Sequence, residues 1–382
     1  MKGILQNIET VRWDLWLLVV TLGLALCGIV MVYSASAASD DSWKFMTAQA
    51  KYVAVGVVAM AVLMRVDYHK YEQPVLIYAA LGLIAVLLLG TLLFGPKING
   101  AHRWLRWGGF SLQPSELAKA ALVIFLAWFL TQREEDGELE NFWHTIGPAG
   151  MVATILAALV VLEPDLGTTL MLGLIFLVMI FAVGMPVKYF LWVTPLMLPV
   201  GAYLILKVGW RWDRVVAFLD PEKYVRGKGY QAWQSLIAVG SGGVNGLGFG
   251  QSRQKMLFLP EAHSDFIFAV IGEELGLLGA VTLVVAFGFL LWRGLRISRQ
   301  APDRFGQLLA LGFTTAIVAQ AFFNISVNLS LVPTKGIPLP LVSAGGSALI
   351  VTLASIGVLL NISMHGAAGR QGDGETGRRG DG

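Results

Sequence analysis

Residues 15–33 read LWLLVVTLGLALCGIVMVY, nineteen residues without a formal charge. As a helix, a run of that length reaches across a hydrocarbon core of about 30 Å. Lys2 and Arg12 precede it, and Ala35-Ser36-Ala37 follows it in the manner of a signal-peptidase site. The apolar core of a cleaved signal is shorter, usually about 7–15 residues. The run is therefore read as a retained first transmembrane helix.

Nine similar runs follow, at about 48–66, 75–94, 114–131, 146–162, 166–184, 188–208, 265–292, 307–330 and 340–363. Lipid offers the backbone no hydrogen-bond partner, so long uniform apolar runs must be helices. They are too long and too uniform for barrel strands. The expectation is an all-α polytopic membrane protein of about ten transmembrane helices. Residues 1–365 form the membrane domain, 209–264 a large extracytoplasmic loop, and 366–382 a Gly-rich, disordered cytoplasmic tail.

Composition agrees. Of 382 residues, 56% are hydrophobic and only 14% charged, against roughly 25% charged in a soluble domain. A soluble enzyme, a disordered chain and a fibrous protein are excluded. The net charge of +3 is too small to argue for nucleic acid. A single cysteine, Cys27, allows no intrachain disulfide, and the five histidines form no spaced zinc pattern.

Ten helices put both termini on one side. With that side cytoplasmic, its segments hold thirteen Lys and Arg residues, against six in the short loops opposite and eight in the long segment. Short loops set orientation and long ones translocate largely regardless of charge, so both termini are placed in the cytoplasm. The basic residues left outside suit an anionic ligand there, although an ordinary solvated loop explains them too.

Within the long segment, YQAWQSLIAVG (230–240) puts Ala232, Trp233, Leu236 and Ile237 on one helical face. That pattern suits either an interfacial helix or one packed on the bundle. GSGGVNGLGFG (240–250) lacks the strand–helix context and the Lys-Ser/Thr of a nucleotide loop. It reads as a flexible turn that brings backbone close to a membrane-bound ligand.

The chemistry concentrates in four stretches. In LPEAHSDFIFAVIGEELG (259–276), Glu261, His263 and Asp265 crowd the turn before the eighth span, and Glu273 and Glu274 lie inside it. Ionisable groups at that depth are functional candidates; equally, Asp265 suits a helix N-cap. In INGAHRWLRWGGFSLQPSELAKA (98–120), Arg103 and Arg106 alternate with tryptophans, and Glu116 and Lys119 share a helix face. That pair either joins helices or holds a diphosphate. LEPDLGTTL (162–170) carries Glu163 and Asp165. NISVNLSLVPTKGIPLPLVSAGGSALI (324–350) carries Asn324, Asn328, Lys335 and Ser343, with a Gly pair suited to close helix approach.

Together, PEAHSDFIFAVIGEELG, VPTKGIPLPLVSAGGSALI, PSELAKA and EPDLGTTL resemble the SEDS family (shape, elongation, division and sporulation), in order and across the whole membrane part. PTKG and EAHSDF are closer to its cell-division members than to its elongation members. Ala344 departs from the family, many of whose members carry an aromatic residue there.

The resemblance implies a peptidoglycan glycosyltransferase of the bacterial plasma membrane, at the division septum, polymerising lipid II on the outer face. It implies a class B penicillin-binding protein as transpeptidase partner, other divisome membrane proteins, and a catalytic acidic residue here at Asp265. Inverting displacement of a diphosphate needs a base at the acceptor and positive charge at the leaving group. Asp265 is the expected base. Arg103 and Lys119, then Arg106 and Lys335, are the expected diphosphate ligands. Glu116, Asp165, Glu261, His263, Glu273 and Ser343 are expected in support. A divalent cation, Mg or Mn, is an optional cofactor, and no nucleotide is needed. A lipid II flippase and a scaffold that only recruits the transpeptidase are the alternative readings.

Overall fold

The computed structural model describes residues 13–37, 42–98, 100–107, 110–186, 189, 209–220, 223–225, 227, 229–256 and 258–379. The protein is an all-α polytopic membrane protein. Among the described residues, eight helices are long and apolar enough to cross a membrane, and Leu166–Ala182 is a shorter apolar helix. The expected seventh span, 188–208, lies almost wholly outside the described residues.

The first three helices are α1 (Leu15–Ala35), α2 (Ser42–Leu63) and α3 (Pro74–Phe94). Asp14 starts α1 by accepting the Leu17 N–H at 3.0 Å, and it pairs with Arg293 from far along the chain. Pro74 opens α3, where its missing N–H costs nothing. Two short hairpins follow, β1–β2 (Lys97–Ile98, Ala101–His102) and β3–β4 (Leu105–Trp107, Phe110–Leu112). They occupy the segment in which Arg and Trp alternate.

Next come α4 (Pro114–Glu135), α5 (Gly147–Leu162), α6 (Leu166–Ala182), α7 (Gly209–Leu219), α8 (Tyr230–Ser241), α9 (Ile267–Gln300), α10 (Arg304–Asn328) and α11 (Ser347–Arg379). The apolar stretches of α4, α10 and α11 are 72%, 67% and 72% buried, whereas those of α2 and α3 are only 22% buried. The first three therefore form the centre of the bundle, and α2 and α3 present apolar side chains outward, as helices facing lipid do. Small residues bring helices together: a Cβ at Gly357 of α11 would stand 2.5 Å from the Met60 carbonyl of α2. The last helix runs on to Arg379, through the segment expected to be a disordered tail. An established helix extends by one hydrogen bond per residue, without a new nucleation cost.

Helix α9 is 34 residues long and broken at Gly276, whose φ of 66° and ψ of −163° lie outside helical values. The Gly-rich loop docks there. Leu247 and Gly248 donate N–H bonds to the carbonyls of Glu273 and Glu274, both at 3.0 Å, and Leu277 donates to Gly243 at 2.9 Å. A Cβ at Gly276 would stand 2.3 Å from the Gly246 nitrogen. The glycines of residues 240–250 thus let backbone approach backbone of α9, where the sequence reading had assigned them to a membrane-bound ligand. Helix α8 packs on the bundle through Ala232, Ser235 and Ala238, while Ile237 is exposed. The small residues give the tighter contact, so this face is rotated from the apolar face read in the sequence.

Candidate active site

Three successive carbonyls before α9 are pinned from the opposite side of the bundle. The His263 carbonyl accepts the Ala344 N–H at 3.0 Å. The Ser264 carbonyl accepts the Ser343 hydroxyl at 2.5 Å. The Asp265 carbonyl accepts side-chain amides of Asn324 at 2.8 Å and Asn328 at 3.0 Å. Asn324 and Asn328 are one turn apart on α10, so both amides reach the same oxygen. The Asp265 backbone is thereby fixed at the end of α10.

The Asp265 carboxylate is left for other work. It does not cap α9, whose N-cap is Phe266 with no side-chain cap bond. Gly336 lies directly against it: a Cβ there would come within 2.9 Å of Asp265 Oδ2. Burial pushes the Asp265 carboxyl up to about 7; Glu261 and Asp165 add to the rise, and Arg103 and Arg214 oppose it. A carboxyl balanced near neutral pH is suited to taking a proton.

Beside it opens a cavity of about 260 Å³, lined in part by Arg103, Asp165, Arg214, Lys335 and Gly336. Arg103 is aimed by two backbone carbonyls, those of Glu163 (3.1 Å from Nε) and Pro164. Arg214 of α7 donates to the Thr334 carbonyl at 3.0 Å. Burial holds its guanidinium below the ordinary arginine value, yet arginine stays charged in proteins. Asp165 caps α6, accepting Thr168 N–H at 3.1 Å and Thr168 Oγ1 at 2.8 Å, and also takes the Gln113 amide at 3.1 Å. Three cationic side chains and one carboxylate therefore face a cavity whose edge, at Gly336, touches Asp265.

Other expected residues lie elsewhere. Lys119 is 5% exposed and paired with Glu116 at 2.8 Å. It also bonds Gln320, whose amide donates to the Pro338 carbonyl at 3.0 Å. It supports the 336–338 segment from within the bundle and does not line the cavity, because its neighbours turn it inward. Arg106 is exposed on β3, with Ser111 opposite it in the hairpin, and does not line the cavity either. Glu261 is exposed, at a φ of 56°, and its carboxylate accepts the Ser264 hydroxyl at 3.1 Å. His263 packs against Phe45 with ring centres 4.5 Å apart and the planes tilted by 49°, and burial lowers its basicity. Ser343 acts through the Ser264 carbonyl.

Glu273 accepts Ser252 Oγ at 2.5 Å and the Arg253 N–H at 2.9 Å. Its neighbour Glu274 forms a fully buried pair with Lys255 at 2.6 Å, joined by Ser34 at 2.7 Å. Both glutamates anchor the long loop to α9.

Arg214 was not singled out from the sequence. It sits in a segment of mixed charges and aromatics, RWDRVVAFLDPEKY, where no spacing separates it from its neighbours. Glu163 was noted but given no role. It is fully buried, neither carboxyl oxygen has a hydrogen-bond partner among the described residues, and burial pushes it up to about 8.

Among the described residues, the three metal-type donors close enough to share an ion are His69, Glu72 and Asp303. They lie at the far end of the bundle from Asp265, beyond the end of α2 and at the start of α10. Among the described residues, Asp265 belongs to no such group.

Comparison with known proteins identifies the family. The family model described as cell cycle protein (FtsW, RodA, SpoVE) matches residues 14–368. The chain belongs to this family. It is 42% identical over 368 residues to the "Probable peptidoglycan glycosyltransferase FtsW" of Geobacter metallireducens, covering 94% of this chain and 96% of that one. It is 39% identical over 361 residues to "Stage V sporulation protein E" of Bacillus subtilis, covering 92% and 97%.

Solved structures agree too. A chain from a peptidoglycan synthase complex described as coordinating polymerization and crosslinking superimposes with a TM-score of 0.78 at 28% identity, covering 92% of this chain and 98% of that chain. The rod shape determining protein RodA of Thermus thermophilus gives 0.68 at 27% identity, covering 94% and 98%. The SEDS family read from the four motifs is this family, and the chain is one of its FtsW-like members.

Proposed function

We propose that this protein is an inverting peptidoglycan glycosyltransferase that polymerises lipid II on the outer face of the bacterial plasma membrane during septal wall synthesis. The observation that carries the reading is the Asp265 carboxyl, free of a capping role and set beside a cavity faced by Arg103, Arg214 and Lys335. The names of the FtsW relatives support the activity.

The growing chain ends in a lipid-linked diphosphate on its anomeric carbon. Asp265, ionised, takes the proton of the acceptor sugar hydroxyl. That oxygen attacks the anomeric carbon from the face opposite the diphosphate. The carbon–oxygen bond to the diphosphate breaks with inversion, and its electron pair leaves with the diphosphate. Arg103, Arg214 and Lys335 offset the charge that develops there. The diphosphate is already activated, so no nucleotide enters.

The charge distribution in the short loops supports cytoplasmic termini and an extracytoplasmic 209–264 segment. In a Cys27→Ser background, a cysteine at Asn245 should react with an impermeant thiol reagent on intact spheroplasts, and one at Arg299 should not. The reverse pattern would invert the topology. The synthase-complex neighbour supports a class B penicillin-binding protein as partner.

Purified protein incubated with lipid II tests the reading. Glycan polymer is expected. Translocation without polymer would make the protein a flippase, and neither outcome would make it a scaffold. Of the buried acids, Glu116, Glu273 and Glu274 are ion-paired or hydrogen-bonded. Glu163, which has no hydrogen bond among the described residues, sits at the end of α5 next to cavity-lining Pro164 and Asp165, and not at mid-bundle where a proton-driven flippase would titrate a carboxyl.

A further inference from the structure

Glu163 closes α5 and directly precedes two cavity-lining residues, Pro164 and Asp165. It is fully buried, and no donor among the described residues reaches either carboxyl oxygen. The contrast with Asp165 is direct. Asp165 accepts bonds from Thr168 and Gln113 and is built to hold a negative charge. Glu163 has no such donors, and an ionised carboxylate buried without hydrogen bonds is far costlier than its neutral form.

The charged groups that face Glu163 are Asp165, at the start of α6, and Arg103, beside β2. Asp165 disfavours a second negative charge beside it. Arg103 favours one, yet it bonds the Glu163 and Pro164 carbonyl oxygens and not the Glu163 carboxyl. Its guanidinium lies on the cavity wall, and no carboxylate among the described residues is bound to it.

We infer that Glu163 is a positioning residue, a neutral carboxyl that shapes the Arg103 perch without cancelling its charge, so that Arg103 meets the substrate diphosphate as a full cation. This rests on the transferase reading above. An ionised carboxylate at this place would pair with Arg103 and weaken its hold on the diphosphate. A neutral one fills the space behind the 163–165 turn and leaves the cation to the cavity.

The consequence is an alkaline limb in the pH–rate profile that belongs to Glu163. Burial sets the carboxyl at about 8, so about nine-tenths of the neutral form is lost by pH 9. Asp265 passes from about half to fully ionised over the same range, so wild-type polymerisation of lipid II should fall about fivefold between pH 7 and pH 9. Glu163→Gln fixes the neutral form, so its rate should not fall and should rise about twofold. A second readout needs no turnover. In the Asp265→Asn background, which removes a second carboxyl raised close to neutral pH, the infrared carboxylic-acid band that Glu163→Gln abolishes should be present at pH 7 and lost by pH 9. It should be missing in the Asp265→Asn, Glu163→Gln double variant.

An alkaline limb shared unchanged by Glu163→Gln would overturn the proposal. So would an infrared band already missing at pH 7. If the wild type makes no polymer at any pH, the transferase reading fails, and the infrared band alone decides whether Glu163 is neutral.

Discussion

Asp265→Asn separates a catalytic carboxylate from a structural one, because the two roles give opposite signs in a melting experiment. The Asp265 carboxyl titrates near 7 in the folded protein, against an ordinary value of 3.8. A raised carboxyl is a penalty that grows with pH: the unfolded chain ionises freely above about 4, and the folded protein does so only above about 7. Above pH 8 the penalty is about 4 kcal/mol, from roughly three pH units at about 1.4 kcal/mol each. At pH 5 only the unfolded chain is ionised, and the penalty shrinks to about 2 kcal/mol. Asparagine carries none of it. The side-chain amides of Asn324 and Asn328 donate to the Asp265 backbone carbonyl, which the substitution leaves in place. Asp265→Asn should therefore melt higher than wild type at pH 8, by a margin that narrows toward pH 5. Polymerisation should fall about 10²–10⁴-fold, the usual worth of a general base. Wild-type activity should itself decline as pH drops through 7, about tenfold by pH 6. A glycan ladder on a gel, beside melts of the same preparations, measures both. Lower stability with proportionate loss of activity would make Asp265 a structural residue, and polymer at wild-type rate would remove it from catalysis.

Arg214→Ala should weaken diphosphate stabilisation and cost about 10–10³-fold in rate while leaving the melt nearly unchanged; a rate equal to wild type would take it out of the site. Lys119→Ala should cost about 3–5 kcal/mol of stability, since Glu116 is left buried without its partner. Replacing both partners, Glu116→Gln with Lys119→Met, should recover most of that loss, and a double variant no more stable than Lys119→Ala would refute the pairing. Gly276→Ala forces a side chain into a φ of 66° and against the Gly246 nitrogen. It should release the 242–250 loop to limited proteolysis, and a wild-type digestion pattern would contradict the docking.

The helices were legible because a membrane-crossing segment declares itself by length and apolarity, with no appeal to distant partners. Motif chemistry was legible to the same extent. Glu116 and Lys119 are three residues apart, and they do pair at 2.8 Å. Which way that pair faces was not legible, since it depends on Gln320 and Pro338 about two hundred residues away. The Gly-rich loop shows the same limit. Its glycines announced a close approach, but the partner turned out to be the backbone of α9 at Gly276. Arg214 was invisible because one arginine among several acquires meaning only when α7 brings it to the cavity. The capping role weighed for Asp265 fell for a local reason: its own N–H bonds the Glu261 carbonyl, and the helix begins one residue later than a cap at 265 requires.

The arrangement around Asp265 divides backbone from side chain. Every carbonyl from His263 to Asp265 is held by a donor from residues 324–344, so the backbone there cannot shift without breaking several bonds. Among the described residues, no donor bonds the carboxylate itself. A fixed backbone beneath a partly desolvated base keeps the base in position while leaving its lone pairs for the substrate, which is what preorganisation requires. The same helix connects this frame to the long loop. Glu273 and Glu274, about two turns along α9 from Asp265, hold residues 252–255, and Gly276 receives residues 243–248. A partner that pulls on the 242–256 loop therefore acts on the first turns of α9, and through them on Asp265. Severing one anchor tests the link. Lys255→Met with Glu274→Gln removes the buried charges without leaving either unpaired, so the fold should survive. If the loop transmits to the base, this double variant should polymerise less well while its melt stays near wild type. Unchanged polymerisation would confine the loop to a structural role.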